Sequence, residues 1–201
     1  MSPGATFERV YRALRDQLGS GRFRAGEHLE PAALSIDLNA SITPVRDALH
    51  RLVGEGLVEA PRGDGFRFPL VTEMGLRHLY RWNRALLDLG ARASGARAPG
   101  VHRIAAAEGD TIDTAERLFL EIAGRSANPE HLAAVALLNA RLRTVRRAEL
   151  ELLSDPAQEL MGIADSLSDP AARDLRRRIA AYHRGRERLA AELVAALQPD
   201  R

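Results

Sequence analysis

Residues 41–58, SITPVRDALHRLVGEGLV, have the pattern of a short amphipathic helix that leads into a turn. Ser41 is a residue type that caps helices, and Pro44 is tolerated in a first helical turn because its missing N–H costs little there. Apolar residues then recur at three- and four-residue spacing and predict a buried face formed by Val45, Ala48, Leu49 and Leu52. Gly54 and Gly56 mark the end of this helix.

Two more helices are predicted on the N-terminal side of this stretch. Residues 6–20 carry a helical apolar stripe made of Phe7, Val10, Tyr11, Leu14 and Leu18. A turn and a short crossing strand follow between residues 19 and 29. Pro31 then suits the first turn of a second helix that reaches about Leu38, and Asn39 is a residue type that follows helix ends.

The sequence after residue 56 predicts a β-hairpin. GLVEAPRGDGFRFPLV (56–71) alternates apolar and polar residues on both sides of a glycine-rich segment, Pro61–Gly65. Three helices followed by a hairpin are the plan of a winged helix-turn-helix, a fold that binds DNA. We therefore predict a winged helix-turn-helix DNA-binding domain in residues 1–71.

Residues 72–201 carry no further strand signal and predict an all-α helical bundle. Thr72 caps the first helix, and a proline after Asn128 and another after Asp169 mark two later helix starts. The expected helices are 73–94, 101–107, 111–125, 129–153, 156–167 and 170–197. The predicted fold class is therefore mainly α, with one hairpin wing near the N-terminus.

The composition is that of a globular protein. Of 201 residues, 45% are hydrophobic and 28% are charged, and no apolar stretch approaches the ~20 residues that a membrane-spanning helix needs. The chain has no cysteine, which excludes disulfides and thiolate metal sites, and its first residues do not resemble a secretion signal. We therefore expect a cytoplasmic protein without a membrane partner.

Net charge does not identify a nucleic-acid partner. All 29 basic residues are arginine, yet the formal net charge is only +2, and residues 1–70 hold nine arginines against nine Asp or Glu. Only the local placement of charge can therefore indicate DNA binding.

Candidate DNA contacts lie at the start of the helix after residue 41 and at the hairpin tip. Ser41 and Thr43 offer hydroxyl groups and the positive end of a helix to a phosphate. Arg46 lies one turn further on the outward side, where a guanidinium can bind guanine O6 and N7. The alternative is a domain used for packing or protein contacts, with Arg46 as a solvated surface residue. The predicted DNA-binding residues are Ser41, Thr43, Arg46, Arg51, Arg62, Gly63 and Gly65.

Residues 6–69 resemble the winged helix of the GntR family of transcription regulators. The shared features are a helix that ends in a small-Gly-Arg turn, then A-G-x-x-L, then S-x-T-P-V-R-x-A-L-x-x-L-x-x-x-G-L-V, and a glycine-rich wing. The resemblance implies a sequence-specific regulator that acts as a homodimer on near-palindromic double-stranded operator DNA. Ala32 and Ile42 stand where the family commonly has arginines, so we expect a different preferred operator. Ile42 either packs on a thymine methyl group or acts as a hydrophobic staple at the helix start.

Residues 73–197 resemble the FCD effector domain of the FadR branch of this family. RALLDLGARA (84–93) and ERLFLEIAGRSANP (116–129) carry the likeness. Many such domains bind a divalent metal through one aspartate and three histidines, and the metal then holds a carboxylate effector. The corresponding positions here are Glu116, Leu120, Gln158 and His183. Because only His183 matches, we expect no metal and no cofactor.

The predicted effector-binding residues are Arg84, Asp88, Glu116 and His183. Arg84 lies one turn before Asp88 and either binds an anionic small-molecule effector directly or pairs internally with Asp88. We expect Trp82 and Tyr80 in the core or at an interface, with a pocket lining as the alternative. The other histidines, including His131, are expected at the surface. The arginine-rich segment is expected to form a solvated helix face, with dimer salt bridges or an approach to DNA as alternatives. Its members are Arg173, Arg176, Arg177, Arg178, Arg184, Arg186 and Arg188.

Three classes of function were weighed. The leading hypothesis is a ligand-responsive dimeric repressor that binds DNA in a sequence-specific manner. The alternative is a winged-helix protein with weakened DNA recognition that serves mainly as a partner-binding interaction module, as Ala32 and Ile42 would favour. An enzyme is not expected, because the chain has no cysteine nucleophile and no G-x-S-x-G motif.

Overall fold

The computed structural model describes residues 3–93, 110–167 and 173–198. Within these ranges the chain is mainly α-helical, which confirms the predicted class, and it divides into two compact units. The first unit is Met1–Val71 with Leu197–Arg201, and the second is Thr72–Ala196. No helix within these ranges combines the length and the apolar character that crossing a membrane requires.

The first unit contains three helices: α1 (Pro3–Gly19), α2 (Pro31–Asp37) and α3 (Ile42–Gly54). Helix α3 packs against both α1 and α2. The apolar stripes predicted from the sequence form its core, including Val10, Leu14, Leu18, Leu34, Val45, Ala48, Leu49 and Leu52.

The turn between α2 and α3 is held from α1. Asn39 adopts a left-handed backbone conformation with φ of 46°, as expected for the residue that ends a helix. The guanidinium of Arg9 donates to the backbone oxygens of Leu38 and Asn39 at 2.8 and 3.2 Å. A cation at the C-terminal end of α2 is favoured because the helix dipole places partial negative charge there.

The predicted β-hairpin is much shorter than the sequence pattern indicates. Glu59 and Arg67 exchange two backbone hydrogen bonds of 2.9 and 2.8 Å, and Arg67 also forms an isolated bridge with His28. No longer strand occurs among the described residues. Pro61, two residues after Glu59, and Pro69, two residues after Arg67, lack an N–H, so the ladder cannot be extended through either position.

The second unit is entirely helical in its described residues. Its helices are α4 (Glu73–Arg92), α5 (Thr111–Gly124), α6 (Pro129–Leu152), α7 (Pro156–Ser166), α8 (Arg173–Arg188) and α9 (Ala190–Leu197). The predicted helix 101–107 lies outside the described residues. The single helix predicted for 170–197 is wrong, because Leu189 interrupts it. Hydrogen bonds from Leu189 N–H to Gly185 and from Leu193 N–H to Leu189 still connect the two parts.

Side-chain caps start four of these helices. Thr72 Oγ1 accepts from the N–H of Gly75 at 3.1 Å, as predicted, and Asn128 Oδ1 accepts from Glu130 at 3.0 Å. Asp110 and Asp155 make equivalent bonds at α5 and α7. Such caps satisfy N–H groups that have no partner inside the helix. Helix α4 packs on α5, α6 and α8, and α5 packs on α4, α6 and α7.

Candidate functional site

The first turn of α3 presents polar groups to solvent. Ser41 occupies the N-cap position with an extended backbone, but its hydroxyl makes no hydrogen bond to the helix, so the predicted side-chain cap is not formed. Thr43 is exposed, and Ile42 is 45% exposed. Both hydroxyl groups and the N-terminal end of the helix therefore remain available to an external anion.

Arg46 lies on the solvent side of α3. Its neighbours Val45 and Leu49 are fully buried against the unit, whereas Arg46 is exposed. Among the described residues Arg46 forms no ion pair or hydrogen bond. Its guanidinium therefore retains its full set of donors for a base edge or a phosphate.

Arg51 is bound by neighbouring side chains of the first unit, unlike Arg46. Its Nη1 lies 3.1 Å from Glu8, its Nε lies 3.4 Å from Glu55, and its guanidinium stacks 3.9 Å from the centre of the Tyr11 ring. The Tyr11 hydroxyl in turn donates to Glu55 at 2.7 Å. This network joins α1 to α3, so the geometry gives Arg51 a structural role although its side chain is 45% exposed.

The segment between Glu59 and Arg67 has an exposed tip. Gly63 and Gly65 have φ of 79° and 67°, in the left-handed region that favours glycine, and a Cβ at either position would meet only open space. Arg62 is exposed beside them. Because these glycines have no side chain, the backbone here can approach a nucleic-acid strand closely, with the Arg62 charge next to it.

In the second unit, Arg84 and Asp88 line one cleft between α4 and α8. Their predicted internal pair is not formed. Asp88 instead accepts from Arg92 on its own helix, at 2.7 and 3.0 Å, and from Arg176 of α8 at 2.7 Å. Burial raises the pKa of Asp88, but the hydrogen bonds from Arg176 and Arg92 outweigh it and hold the pKa below its ordinary value. Asp88 is therefore an ionised link between two helices.

Glu116 and His183 do not line that cleft. Glu116 accepts from Arg143 through Oε2 at 2.7 Å, while its Oε1 lies 3.6 Å from Arg146, too far for a hydrogen bond. His183 is fully buried, and its Nδ1 lies 2.7 Å from the carbonyl oxygen of Ile179. Nδ1 is therefore the protonated nitrogen, which leaves Nε2 as a buried acceptor without a partner.

Burial determines the protonation state of His183. It lowers the pKa of this imidazole to about 3, although the hydrogen bond to Ile179 opposes the shift. The side chain is therefore neutral across the physiological range, and it can accept a hydrogen bond but cannot provide a positive charge.

Sequence reasoning missed several buried polar residues of this unit, among them Asn83 and His131. Asn83 on α4 is 1% exposed, and neither its Nδ2 nor its Oδ1 has a protein partner. His131, predicted at the surface, is buried between Ser126 and the carbonyl oxygen of Leu86, with both contacts at 2.8 Å. Asn83 falls on the inward side of the apolar stripe of α4, and that position is the one signal that could have identified it.

The metal site known from the FCD domains does not fit these side chains. Among the described residues, no three His, Asp or Glu side chains come together as a metal-binding group. Glu116 is engaged by arginine, and His183 donates through Nδ1 to a backbone carbonyl. Two donors on separate contacts are too few for a stable transition-metal site.

Comparisons with known proteins identify the first unit. Residues 6–68 match the family model described as bacterial regulatory proteins, gntR family. The Nta operon transcriptional regulator of Aminobacter aminovorans is 28% identical over 141 residues, which cover 63% of this chain and 67% of that protein. The family and this relative are transcription regulators and not enzymes.

Two solved structures share the fold over nearly the whole chain. E. coli McbR/YncC is 23% identical with a TM-score of 0.73, covering 93% of this chain and 97% of that one. A putative transcriptional regulator GntR from Rhodococcus sp. RHA1 is 18% identical with a TM-score of 0.77, covering 94% and 98%. At these identities the likeness concerns the fold alone. Residues 6–68 therefore match the GntR family of bacterial regulatory proteins, and this match and the curated relative support a DNA-binding transcription regulator.

Proposed function

We propose that this regulator is a ligand-responsive dimeric repressor. In this proposal residues 1–71 form a winged helix-turn-helix DNA-binding domain, and residues 72–201 form an FCD-like domain that binds an effector and dimerises. The observation that carries the proposal is Arg46, an exposed guanidinium one turn into α3 with no ion pair among the described residues. A single α-helix fits the major groove, where such a side chain can bind guanine.

The other exposed residues of α3 support the binding of this helix in the major groove. Ser41 and Thr43 would contact phosphate at the positive end of the helix. Ile42 is 45% exposed, which favours contact with a thymine methyl group over a role as a hydrophobic staple. Arg62, Gly63 and Gly65 would form the wing and reach the neighbouring backbone or minor groove.

Binding to DNA can be tested with two arginine variants that remove the same charge. Arg46→Ala should weaken binding to the chain's own promoter about 5- to 150-fold, which corresponds to the 1–3 kcal/mol of a bidentate base contact. Arg12→Ala, at an exposed position on α1, is the control and should change affinity little. Fluorescence anisotropy over a salt series, with a random duplex beside the promoter, separates specific from non-specific binding.

Equal loss of affinity in the two variants would contradict a base contact by Arg46. If promoter and random DNA bind equally weakly, and a genome-wide operator selection also fails, the partner-binding alternative replaces the repressor.

Buried polar atoms in the second unit support an effector site. Asn83, Arg146 and His183 on α4, α6 and α8 each have a buried side-chain atom without a hydrogen-bond partner, and so does Glu116 on α5. Each such atom costs about 1–3 kcal/mol if nothing satisfies it. We infer that a polar small molecule, or water in its absence, contacts these atoms. Repression would be relieved only if the molecule binds the DNA-competent and DNA-incompetent arrangements with different affinity.

An exposed apolar stripe on α4 supports dimerisation. Met74, His78, Trp82, Ala85 and Leu89 follow three- and four-residue spacing and are all exposed. Trp82 is 55% and Leu89 is 53% exposed, which is unusual for large apolar side chains placed together on one helix face. We propose that a second copy of the chain covers this stripe, because a two-fold dimer would present two recognition helices to a near-palindromic operator.

A further inference from the structure

We propose that the cleft between α4 and α8 is a binding site for a small multivalent anion, a molecule with at least two phosphate or carboxylate groups. This cleft is separate from the buried polar atoms to which the effector was assigned above, since Glu116 and His183 do not line it; of the predicted effector-binding residues, Arg84 and Asp88 do. The cleft has a volume of about 390 Å³. The side chains that define its charge are Arg84, Asp88, Arg92, Arg173, Arg176 and Arg177.

The charge of this cleft is strongly unbalanced. Five arginines and one aspartate line it, and one of the five, Arg177, is also paired with Asp174. Like charges that share a concave surface repel one another more strongly than on an open surface, because less water screens them. A bound anion removes this repulsion, so the charge of the cleft favours binding one.

Asp88 orients two of the arginines without neutralising the cleft. Arg176 uses only Nε for its hydrogen bond to Asp88, and its terminal nitrogens remain available. Arg92 donates to the other carboxylate oxygen of Asp88. A guanidinium fixed in this way loses less conformational entropy when it binds a second anion, which favours affinity.

Two further arginines are uncommitted. Arg84 and Arg173 form no ion pair among the described residues. Arg173, Arg176 and Arg177 lie in the first two turns of α8, where the helix dipole favours negative charge and makes clustered arginines unfavourable. An anion in the cleft would interact favourably with both the guanidinium groups and the helix end.

The size of the cleft selects a small molecule. A volume of about 390 Å³ lies in the range of metabolite pockets and is far smaller than a protein or nucleic-acid interface. Planar guanidinium groups bind phosphate and carboxylate oxygens in pairs, so several of them favour a ligand with several anionic groups over a monovalent one.

The test is isothermal titration calorimetry on the full chain with pyrophosphate, citrate and orthophosphate, at an ionic strength held constant with sodium chloride. Pyrophosphate or citrate should bind one site per chain, at least about tenfold more tightly than orthophosphate. The double variant Arg84→Ala/Arg173→Ala should weaken that binding at least about tenfold, as expected for the loss of charge-assisted hydrogen bonds. It leaves the contacts of Asp88 intact, and thermal unfolding without ligand checks that it folds.

The control is Arg141→Ala/Arg184→Ala, which removes the same charge at exposed positions outside the cleft. It should bind the anions as the unmodified chain does. The proposal is overturned if no multivalent anion binds beyond the chloride background, or if the control pair loses as much affinity as the cleft pair. It is also overturned if the cleft pair binds the anions as tightly as the unmodified chain does. This titration contains no DNA. If Arg46→Ala does not weaken operator binding, the result of the anion titration is therefore unaffected.

Discussion

Arg186 and Glu149 form an ion pair inside the helical unit, with Arg186 Nε 2.7 Å from Glu149 Oε2 and side chains that are 1% and 3% exposed. Tyr80 donates to the other oxygen of Glu149 at 2.7 Å, and a second nitrogen of Arg186 lies 2.7 Å from Glu159. The guanidinium also stacks 3.3 Å from the centre of the Tyr182 ring. One polar network therefore connects α4, α6, α7 and α8.

Removing the charge of Glu149 should destabilise the protein strongly. Glu149→Gln leaves the Arg186 guanidinium buried with an incomplete set of partners, and breaking a buried pair in this way costs about 3–5 kcal/mol. Glu151→Gln, at an exposed position on the same helix, is the matched control and should change the free energy of unfolding by less than about 0.5 kcal/mol. Urea unfolding followed by circular dichroism measures both. Similar midpoints for the two variants would show that the pair is dispensable.

His183 should make stability depend on pH in the weakly acidic range. Its pKa is lowered to about 3 in the folded protein, against 6.5 for an ordinary histidine. Between these values the unfolded chain binds the proton and the folded chain does not, so stability falls as the pH decreases from 6.5 towards 3. The slope contributed by this group is at most about 1.4 kcal/mol per pH unit.

A histidine-to-glutamine comparison isolates this effect. His183→Gln should flatten the plot of unfolding free energy against pH between 6.5 and 5, whereas His50→Gln, at an exposed position outside the α4 stripe, should leave the slope unchanged. The range above pH 5 excludes most of the carboxylate titration, to which Asp88 contributes at lower pH because its pKa is lowered. Parallel slopes for the unmodified chain and His183→Gln would show that this imidazole is protonated equally in the folded and the unfolded chain.

The apolar stripe of α4 gives a direct test of dimerisation through Trp82, the single tryptophan of the chain. If a second copy covers the stripe, dilution should shift the Trp82 emission to longer wavelength as the dimer dissociates. Leu89→Arg should produce the shifted emission, and a monomer in analytical ultracentrifugation, at all concentrations, because a buried unpaired charge opposes association. Met161→Arg places the same charge at an exposed apolar position on α7 and should leave the dimer intact. A dimer of Leu89→Arg would mean that another surface forms the interface.

We expect Asn83 to contribute to ligand binding and to lower the stability of the unliganded protein. Its buried amide has no protein partner, so Asn83→Leu removes an unsatisfied polar group and should raise the melting temperature of the unliganded chain by a few degrees. The same variant should abolish any effect of an effector on operator affinity while binding operator normally. Asn139→Leu is the contrasting change, because Asn139 bonds to Glu116 and Arg146, and it should lower the melting temperature. A lower melting temperature for Asn83→Leu would indicate that this amide is satisfied in the native protein.

Local features of the helices were predictable from the sequence. The caps at Thr72 and Asn128 and the helix-ending conformation of Asn39 follow from residue type and neighbouring spacing, since each involves groups a few residues apart. The hairpin was overpredicted because alternation of apolar and polar residues does not reveal how far two segments remain paired. Because Pro61 and Pro69 lack an N–H, the pairing is limited to the isolated bridges that Arg67 forms with Glu59 and with His28.

The candidate site was only partly predictable. The sequence places Arg46 outward and Val45 inward on α3, and both positions agree with the structure. It also suggests that Arg84 pairs with Asp88, but the carboxylate is taken by Arg92 and by Arg176, which is distant along the chain. Arg186, expected on a solvated face, is buried against Glu149. The sequence of one helix cannot show which charged side chain of another helix will contact it.

The sequence alone determined the helical class, most helix limits and the family of residues 6–68, because periodicity, capping and motif spacing are properties of adjacent residues. The tertiary structure decided which arginines are free and which are bound, why Asn83 and His183 have unpaired atoms, and that five guanidinium groups share one cleft. Those properties depend on contacts between helices that are far apart in the chain. Their energies arise from burial and from charge separation, and both are fixed only when the helices pack.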